Sequence, residues 1–481
     1  NSCILEVSSI PPINLGYRLR YLIDYPHGCL EQTTSAAFPQ LYLHVVKDLT
    51  EAEKGRIRNN VTGAIERLKL FVTRGGGFGY WPGNAEADDW GTNYAGHFML
   101  EAANAGYYVP DDVLKRWKRF QKNRALEWRM NDGYYQNDLI QAYRLYTLAM
   151  AGVPELPAMN RLREMNISSQ SRWMLAAAYA KIGQPEAAKK LINNLTTQIK
   201  KYQELGYTYG NDVRDKAIVL ETLVLLKQKT KGFEVLREIA ADLSNNNWMS
   251  TQTIAYSLKS VGQYIATEKP AEIKYAFNYA GKQNSVISVL PLSQQQLEVK
   301  GQQKMPIKIV NQASGSLFVR IINTGVPAQG QEVAEQNNLV MNTTYTDMKG
   351  NPLDITRLEQ GVEFMAHVKV KNPGVRNDYQ NLALTQVFPS GWEINNLRVN
   401  NDEALVKVDR GDYQDIRDDR VYTYFRLSAY GERTFSVILT ASYAGTFYLP
   451  GTSCEAMYDH SIYAKQKGQL VEVVKRTTSV N

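Results

Sequence analysis

The sequence predicts a chain of several domains in which a closed double ring of helices, an α/α toroid, stands between β-sheet domains. Its 481 residues are enough for roughly two to four domains. Helical periodicity runs from about residue 28 to residue 268, and strand-like alternation follows from about residue 270. Helices and strands therefore occupy separate zones, which is typical of distinct helical and β domains.

Strand-like sequence begins the chain. Residues 3–7 (Cys-Ile-Leu-Glu-Val) favour a strand, and two prolines at 11–12 interrupt it. Residues 17–23 are interpreted as a second strand. We expect this segment to belong to a β domain.

The helical zone divides into pieces of roughly 12–20 residues whose apolar side chains recur at i, i+3, i+4 and i+7. The clearest pair of helices covers residues 171–192, where Gly183 and Pro185 mark the turn. Roughly eleven or twelve helices in such pairs are expected. Repeated helical hairpins stack into a solenoid or close into a ring, and the Ala-rich faces of these helices favour the ring.

The zone after residue 270 predicts β-sandwiches. Apolar and polar residues alternate as in strands at residues 285–289, 317–322, 364–370 and 434–439. Residues 325–337 contain Pro327 and several Gly and Gln residues. We interpret this stretch as a linker between two β units.

Charge and composition exclude several classes of function. Lys and Arg number 55 against 48 Asp and Glu, a net charge of +7, and no dense basic tract favours a nucleic-acid partner. No apolar run reaches the roughly 18 residues of a membrane span. Five His and three Cys are scattered without the spacing of a zinc site, so neither a metal nor another cofactor is expected. The chain begins without Met or a signal segment, and we expect it to be the C-terminal part of a longer protein.

The segment of residues 25–35, Tyr-Pro-His-Gly-Cys-Leu-Glu-Gln-Thr-Thr-Ser, carries the most informative chemistry. A helix is predicted to begin near Cys29, where unpaired N–H groups and the helix dipole stabilise a thiolate. Gln32 follows three residues later, on the same face as the Cys29 sulfur. The spacing is compatible with a half-buried Cys beside a capping Gln. It is also compatible with an internal thioester, in which the sulfur replaces the amide nitrogen of Gln32 and ammonia leaves.

The same segment resembles the thioester signature G-C-x-E-Q of the α2-macroglobulin and complement family. Gly28 to Gln32 match this signature, and the longer string 25–35 is similar to the bacterial branch in particular. Further runs similar to bacterial members are residues 78–83, 90–95, 209–217, 443–450 and 455–459. The resemblance therefore covers nearly the whole chain.

For the fold, the resemblance implies an α/α toroid thioester domain inserted in a CUB-type β-domain and followed by a macroglobulin-type β-sandwich. Residues 1–24 would end the first part of the CUB-type domain, and residues 25–268 would form the thioester domain. Residues 269–335 would form the second CUB-type part, and residues 336–481 the terminal, receptor-binding-like sandwich.

For the function, the resemblance implies a broad-range protease inhibitor and not an enzyme. A protease cleaves an upstream bait segment, the thioester becomes exposed, and a Lys amine of the protease is acylated by the Gln32 carbonyl with Cys29 as leaving group. The implied partners are target proteases, without nucleic acid, and with membrane contact only through a lipid anchor on an upstream part. The implied location is the periplasm or the cell envelope, as an exported protein or lipoprotein.

Three more residues are candidates for shielding or tuning the thioester. Tyr25 lies four residues before Cys29, where an aromatic ring would exclude water; a core Tyr is the alternative. His27 lies beside the motif, where a solvated loop histidine is the alternative. Tyr143 occupies the position at which hydroxyl-acylating complement relatives carry a His, counted along a run resembling residues 132–136. A Tyr there favours direct reaction with amines.

Two other functions compete with the trap. A thioester adhesin would share the chemistry and differ in lacking a cleavable bait upstream. An α/α-toroid enzyme would need paired carboxylates facing a cavity. Glu101, Glu221 and Asp215 are candidates, but nothing in the sequence pairs them.

The remaining reactive side chains are interpreted as structural. His97 is expected to be an ordinary core or surface histidine of a helix. Cys3 and Cys454 would form a disulfide only if the first strand meets the terminal domain.

Overall fold

The computed structural model describes residues 2–25, 27–130, 137–204, 206–245, 247–268, 271–298, 305–325, 330–395, 409 and 411–476. The chain divides into two compact units, Asn1–Val326 and Pro327–Asn481. All described helices belong to the first unit, and the described part of the second is built of strands.

Helices fill most of the first unit. The described α-helices are α1 Leu15–Asp24, α2 Leu30–Ala37, α3 Leu43–Val46, α4 Glu51–Leu68, α5 Asp89–Asn104, α6 Asp111–Glu127, α7 Asn137–Met150, α8 Leu156–Arg163, α9 Ser169–Lys181, α10 Pro185–Ile192, α11 Asp212–Leu225, α12 Lys229–Ser244 and α13 Thr251–Glu268. Short 3-10 helices cover Phe38–Tyr42 and Lys69–Phe71. No helix in the described ranges combines the length and the apolar character that crossing a membrane requires.

The helices form the predicted toroid. In the inner ring, α2 contacts α5, α5 contacts α7, and the contacts continue through α9, α11 and α13 back to α2. The outer helices lie against this ring: α4 on α2, α6 on α7, α8 and α10 on α9, α12 on α11, and α1 across α13 and α2. Inner helix α9 buries every residue from 173 to 179. Outer helix α10 buries Ala188 and Ile192 among its eight residues. The Ala-rich faces thus lie inside, where small side chains let neighbouring helices approach closely.

The strands of the first unit come from both sides of the helices in sequence. The described strands are β1 Ser2–Ser8, β2 Ile273–Tyr279, β3 Lys282–Ser288, β4 Leu292–Leu297, β5 Ile307–Asn311 and β6 Phe318–Thr324. β1 lies between β4 and β6 and pairs antiparallel with both. β2 lies between β3 and β5 in a second sheet, and the shared core includes Leu5, Val7, Ile273 and Tyr275. The helices are therefore inserted between two strands of one β domain, as expected.

The second unit is a β-sandwich. Its described strands are β7 Glu335–Asn337, β8 Val340–Asp347, β9 Arg357–Glu359, β10 Glu363–Lys371, β11 Tyr379–Val387, β12 Trp392–Asn395, β13 Tyr413–Ile416, β14 Arg420–Leu427, β15 Glu432–Ala441, β16 Gly445–Leu449, β17 Ser453–Ala456, β18 Asp459–Lys465 and β19 Gln469–Val474. One sheet has the order β12-β15-β10-β8, a second β13-β14-β11-β17-β18-β7, and a small third β16-β19-β9. Val368 and Val370 of the first sheet pack with Leu382 and Leu384 of the second, so the two sheets lie face to face.

The interpretation of residues 17–23 as a strand is wrong, because they lie in helix α1. The buried residues of α1 are Leu15, Arg18 and Leu22, at helical spacing. Arg18 also donates from Nε to the carbonyl oxygen of Leu243 in α12, at 3.0 Å. A short amphipathic segment can fit both the 3.6-residue period of a helix and the two-residue period of a strand. Here contacts with other helices decide the conformation.

The strand predictions of the later zone are confirmed. The segments 285–289, 317–322, 364–370 and 434–439 correspond to β3, β6, β10 and β15. The predicted linker 325–337 ends differently, because its last residues form β7, which pairs with β18; residues 326–329 lie outside the described residues. The domain boundaries at residues 24, 268 and 335 stay predictions. Cys3 and Cys454 are both buried and form no disulfide in the described structure.

Charged groups meet inside the helical ring. His97 of α5 has its Nε2 3.4 Å from Glu101 Oε1 and 3.6 Å from Glu221 Oε1. The Lys259 ammonium of α13 forms an ion pair with Glu221, and both side chains are almost fully buried. Burial alone would raise the pKa of Glu101, but the neighbouring His97 and the positive charge of Lys259 lower it to about 2. His97 and Lys259 thus favour the ionised form of Glu101, whose side chain is 16% exposed, and Lys259 pairs with the almost fully buried Glu221.

We predict that Lys259→Met lowers the free energy of unfolding by about 3–5 kcal/mol, because Glu221 would stay buried without its positive partner. The matched control is Lys216→Met, which removes a less buried ion pair with Asp242 at 2.9 Å. Its expected loss is about 0–1 kcal/mol. Urea unfolding followed by far-ultraviolet circular dichroism measures both. Equal losses in the two variants would contradict the importance of the inner pair.

Candidate functional site

Cys29 and Gln32 meet at the N-terminus of helix α2. Cys29 is the capping residue just before the helix and has extended backbone angles, φ −66° and ψ 172°. Its Sγ accepts a hydrogen bond from the Gln32 backbone N–H at 3.5 Å, and its own backbone N–H donates to Gln32 Oε1 at 3.4 Å. This reciprocal arrangement is a capping box in which sulfur and a carboxamide act as the two acceptors. Both residues are buried, at 0% and 3% exposure, so the sulfur and the carboxamide lie together away from solvent.

Neighbouring loops hold the start of α2 in place. The Leu30 backbone N–H donates to the Tyr80 carbonyl oxygen at 3.0 Å, and Arg67 Nη2 donates to the Gly28 carbonyl oxygen at 3.1 Å. A Cβ atom at position 28 would lie 2.6 Å from Arg67 Nη2. Only glycine therefore allows this close approach of the guanidinium to the backbone just before Cys29.

Tyr25 and His27 lie together on the approach to Cys29. Tyr25 is partly buried and His27 is 5% exposed, so the alternative of a solvated loop histidine at position 27 is wrong. The His27 ring meets the Tyr25 ring edge-on at 5.1 Å. The ring of Tyr21, which lies on α1, is 5.3 Å from the Tyr25 ring. Pro26, between them, lies outside the described residues. The shielding and tuning roles of Tyr25 and His27 stay predictions.

Tyr143 lies on α7 among the buried side chains of the ring. Its hydroxyl is 2.9 Å from His97 Nδ1, and its ring lies 4.9 Å from the Trp90 ring. Residues 132–136, from which its position was counted, lie outside the described residues. No His lies near Tyr143 in sequence, yet the fold places His97 on its hydroxyl. Burial and the positive charge of Lys259 lower the pKa of His97, which favours a neutral imidazole there.

Two aromatic residues near Cys29 were not found by sequence reasoning. The Tyr80 backbone binds Leu30, and the Tyr80 ring lies 5.7 Å from the ring of Tyr209. Tyr209 has a left-handed backbone, with φ 51°, which is uncommon for a residue with a side chain. Burial and the negative charges of Asp88 and of the Cys29 thiolate form raise the pKa of Tyr209 well above its usual value. The signal was present, since both residues lie in the runs 78–83 and 209–217.

Nothing in the sequence pairs Glu101 and Glu221, but the fold brings both of them beside His97. One ligand atom from each of these three residues lies within 4.8 Å of the others, a spacing suited to a metal ion. Lys259 already balances the charge of Glu221. Asp215 forms an ion pair with the guanidinium of Arg214 at 2.7 Å. These partners favour structural roles for the carboxylates over those of a hydrolase or a metal centre.

A family model matches the second unit. The match covers residues 339–460, and the model describes the bacterial Alpha-2-macroglobulin MG10 domain. It falls on the β-sandwich.

Curated proteins match the chain over most of its length. It is 24% identical over 489 residues to alpha-2-macroglobulin of Escherichia coli (strain K12), covering 94% of this chain and 29% of the relative. It is 26% identical over 494 residues to alpha-2-macroglobulin of Pasteurella multocida (strain Pm70), covering 94% of this chain and 25% of the relative. The chain therefore spans less than a third of the length of these relatives.

Solved structures share the fold. The crystal structure of native alpha-2-macroglobulin from Escherichia coli, spanning domain MG7 to the C-terminus, has a TM-score of 0.80 and 22% identity, covering 98% of this chain and 77% of that chain. The crystal structure of Salmonella alpha-2-macroglobulin reacted with methylamine has a TM-score of 0.81 and 21% identity, covering 98% of this chain and 32% of that chain. By its sequence relatives, its MG10 match and its fold, the chain belongs to the bacterial alpha-2-macroglobulin family and matches the C-terminal region of its members.

Proposed function

We propose that Cys29 and Gln32 form an internal thioester and that this thioester is the acyl donor of a covalent protease trap. The observation that carries the proposal is the capping box at α2, which holds the Cys29 sulfur beside the Gln32 carboxamide. To form the bond, Sγ attacks the side-chain carbonyl carbon of Gln32 and the C–N bond breaks. The thiol proton leaves with the amide nitrogen as ammonia.

The acyl transfer follows from the same geometry. A thioester lacks the strong resonance of an amide, so an amine attacks its carbonyl carbon readily. The amine nitrogen bonds to the Gln32 carbonyl carbon, the C–S bond breaks, and the sulfur takes up the proton that the amine loses. The Cys29 backbone N–H, which donates to Gln32 Oε1, would hold the oxygen on which negative charge develops. The Gln32 backbone N–H at the helix N-terminus would stabilise the leaving thiolate.

The partners that we propose are target proteases, which the trap binds covalently through their Lys side chains. The protein would act as a broad-range endopeptidase inhibitor and not as an enzyme. The Salmonella relative that was reacted with methylamine supports amine chemistry at this site. Because the chain spans less than a third of its relatives, we propose that the cleavable bait lies upstream of it. We also propose export to the periplasm or cell envelope, with any lipid anchor upstream.

Residues around the thioester take supporting roles in this proposal. Tyr25 shields the bond from water, and His27 holds the Tyr25 ring edge-on. Tyr143 acts more remotely, through its contact with His97 inside the ring. Because residue 143 is a Tyr, where hydroxyl-acylating complement relatives carry a His, amines are the preferred nucleophiles.

We predict that methylamine labels Gln32 and frees one thiol at Cys29 in equal amounts. Before reaction, the intact chain should be lighter than its encoded mass by one ammonia. Cys29→Ala and Gln32→Ala should each abolish both the labelling and the thiol release, because the bond needs both partners. Cys454→Ala is the matched control, since it removes a buried thiol of the other unit. Peptide mass spectrometry and thiol titration measure the outcome, and labelling that persists in Cys29→Ala would identify a different acyl donor.

A second prediction concerns the shield. Tyr25→Ala should release the Cys29 thiol several-fold faster in amine-free buffer, because water reaches the carbonyl more easily. Tyr17→Ala is the control, since Tyr17 lies on α1, the helix that Tyr25 directly follows, and is 48% exposed. Thiol release is followed beside circular dichroism, which excludes unfolding. If Tyr25→Ala releases thiol no faster than Tyr17→Ala does, Tyr25 is a packing residue.

A further inference from the structure

Glu31 lies inside the thioester motif, and the acyl-transfer chemistry leaves it without a role. It is 1% exposed, and its carboxylate accepts hydrogen bonds from hydroxyl groups of two helices, α2 and α13. Ser35 Oγ, one turn further along α2, donates to Oε1 at 2.5 Å. Thr251 Oγ1 lies 3.0 Å from Oε1 and 2.9 Å from Oε2. Both donors are buried, at 0% and 3% exposure.

The positions of these partners in the fold give Glu31 a particular place. Thr251 is the first residue of α13, the last inner helix, and α2 is the first inner helix. Glu31 therefore accepts a hydrogen bond across the contact between α2 and α13, where the ring closes. Ser35 is also 3.1 Å from the hydroxyl of Tyr94 on α5, so the same group reaches the neighbour on the other side of α2. The neighbouring Glu31 adds to burial in raising the pKa of Tyr94 well above its usual value.

Electrostatics explain how a carboxylate is accepted here. Glu31 lies in the first turn of α2. Its oxygens also lie at the first residue of α13. The N-terminal ends of helices carry partial positive charge and favour anions. Glu31 thus sits at two helix N-termini, one of which also carries Cys29.

We infer that Glu31 is the positioning residue of the thioester. By fixing the first turn of α2 to α13 and α5, it holds Cys29 and Gln32, its near neighbours in the chain, in the buried capping geometry. It acts through the helix and not on the bond itself. This inference rests on the proposed function, because the two residues that Glu31 positions are the partners of the proposed thioester. A displacement of about 1 Å at a reacting group can change rates by as much as a factor of about 100.

The test compares two threonine variants of the full chain. Thr251→Val removes both hydroxyl contacts with Glu31 and keeps the shape of the side chain. Thr222→Val is the matched control, because Thr222 is equally buried on inner helix α11 and its hydroxyl binds the carbonyl oxygens of Trp173 and Ile218. Glu31→Gln is the conservative variant, which retains one carbonyl acceptor. We expect thiol release from Cys29 in amine-free buffer to be about tenfold faster in Thr251→Val than in Thr222→Val, with Glu31→Gln in between.

A purely structural role would change thermal stability without this selective effect on Cys29. Alkylation by iodoacetamide is therefore followed at all three cysteines, with Cys3 and Cys454 as internal references in the same molecules. Equal thiol release in the two threonine variants, or a parallel rise in alkylation at all three cysteines, overturns the inference. If the unmodified chain shows no loss of ammonia in its mass, the proposed thioester fails. The alkylation of Cys29 relative to Cys3 then tests the positioning alone, with a rise of about tenfold in Thr251→Val expected.

Discussion

The reciprocal cap at the start of α2 is the interaction on which the proposed chemistry depends. A helix N-terminus needs acceptors for its unpaired N–H groups. In this chain the acceptors are the Cys29 sulfur and the Gln32 carboxamide oxygen. The requirement that begins the helix thus also brings a nucleophile to an electrophile. Formation of a thioester would remove the amide nitrogen and keep the carbonyl oxygen, so the acceptor for the Cys29 N–H would survive the reaction.

The surrounding ring is polar inside, and this explains a feature of the composition. Tyr outnumbers Phe by 30 to 13. Tyr146 and Tyr256 each donate a hydroxyl to Glu221 at 2.8 Å, and Tyr42 donates to Glu101 at 2.6 Å. A buried charge must be paired and hydrogen-bonded to be tolerated. Tyrosine suits this interior because it combines a large apolar ring with a donor at its tip.

The sequence predicted local patterns well and spatial partnerships poorly. The 3.6-residue period revealed the toroid, and the Cys29–Gln32 spacing placed both residues at one helix start, because each signal lies within a few residues. The contacts of Glu101 and Glu221 with His97 join positions far apart in the chain, and nothing local encodes them. Helix α1 was missed for the same reason, since Arg18 finds its partner in α12.

The central place of β1 in its sheet affects how the chain acquires its structure. Leu5 is opposite Gln295 in β4 and Ile321 in β6. The ribosome therefore completes every helix of the toroid before either neighbour of β1 exists. Until then β1 has both edges unpaired, a state in which strands tend to associate with other chains. Closing so long a loop is slow even though its entropic penalty grows only with the logarithm of its length. The toroid brings the two ends of the insertion together, since α1 packs on α13, so a folded toroid leaves only a short distance for β1 to cover before it pairs with β4 and β6.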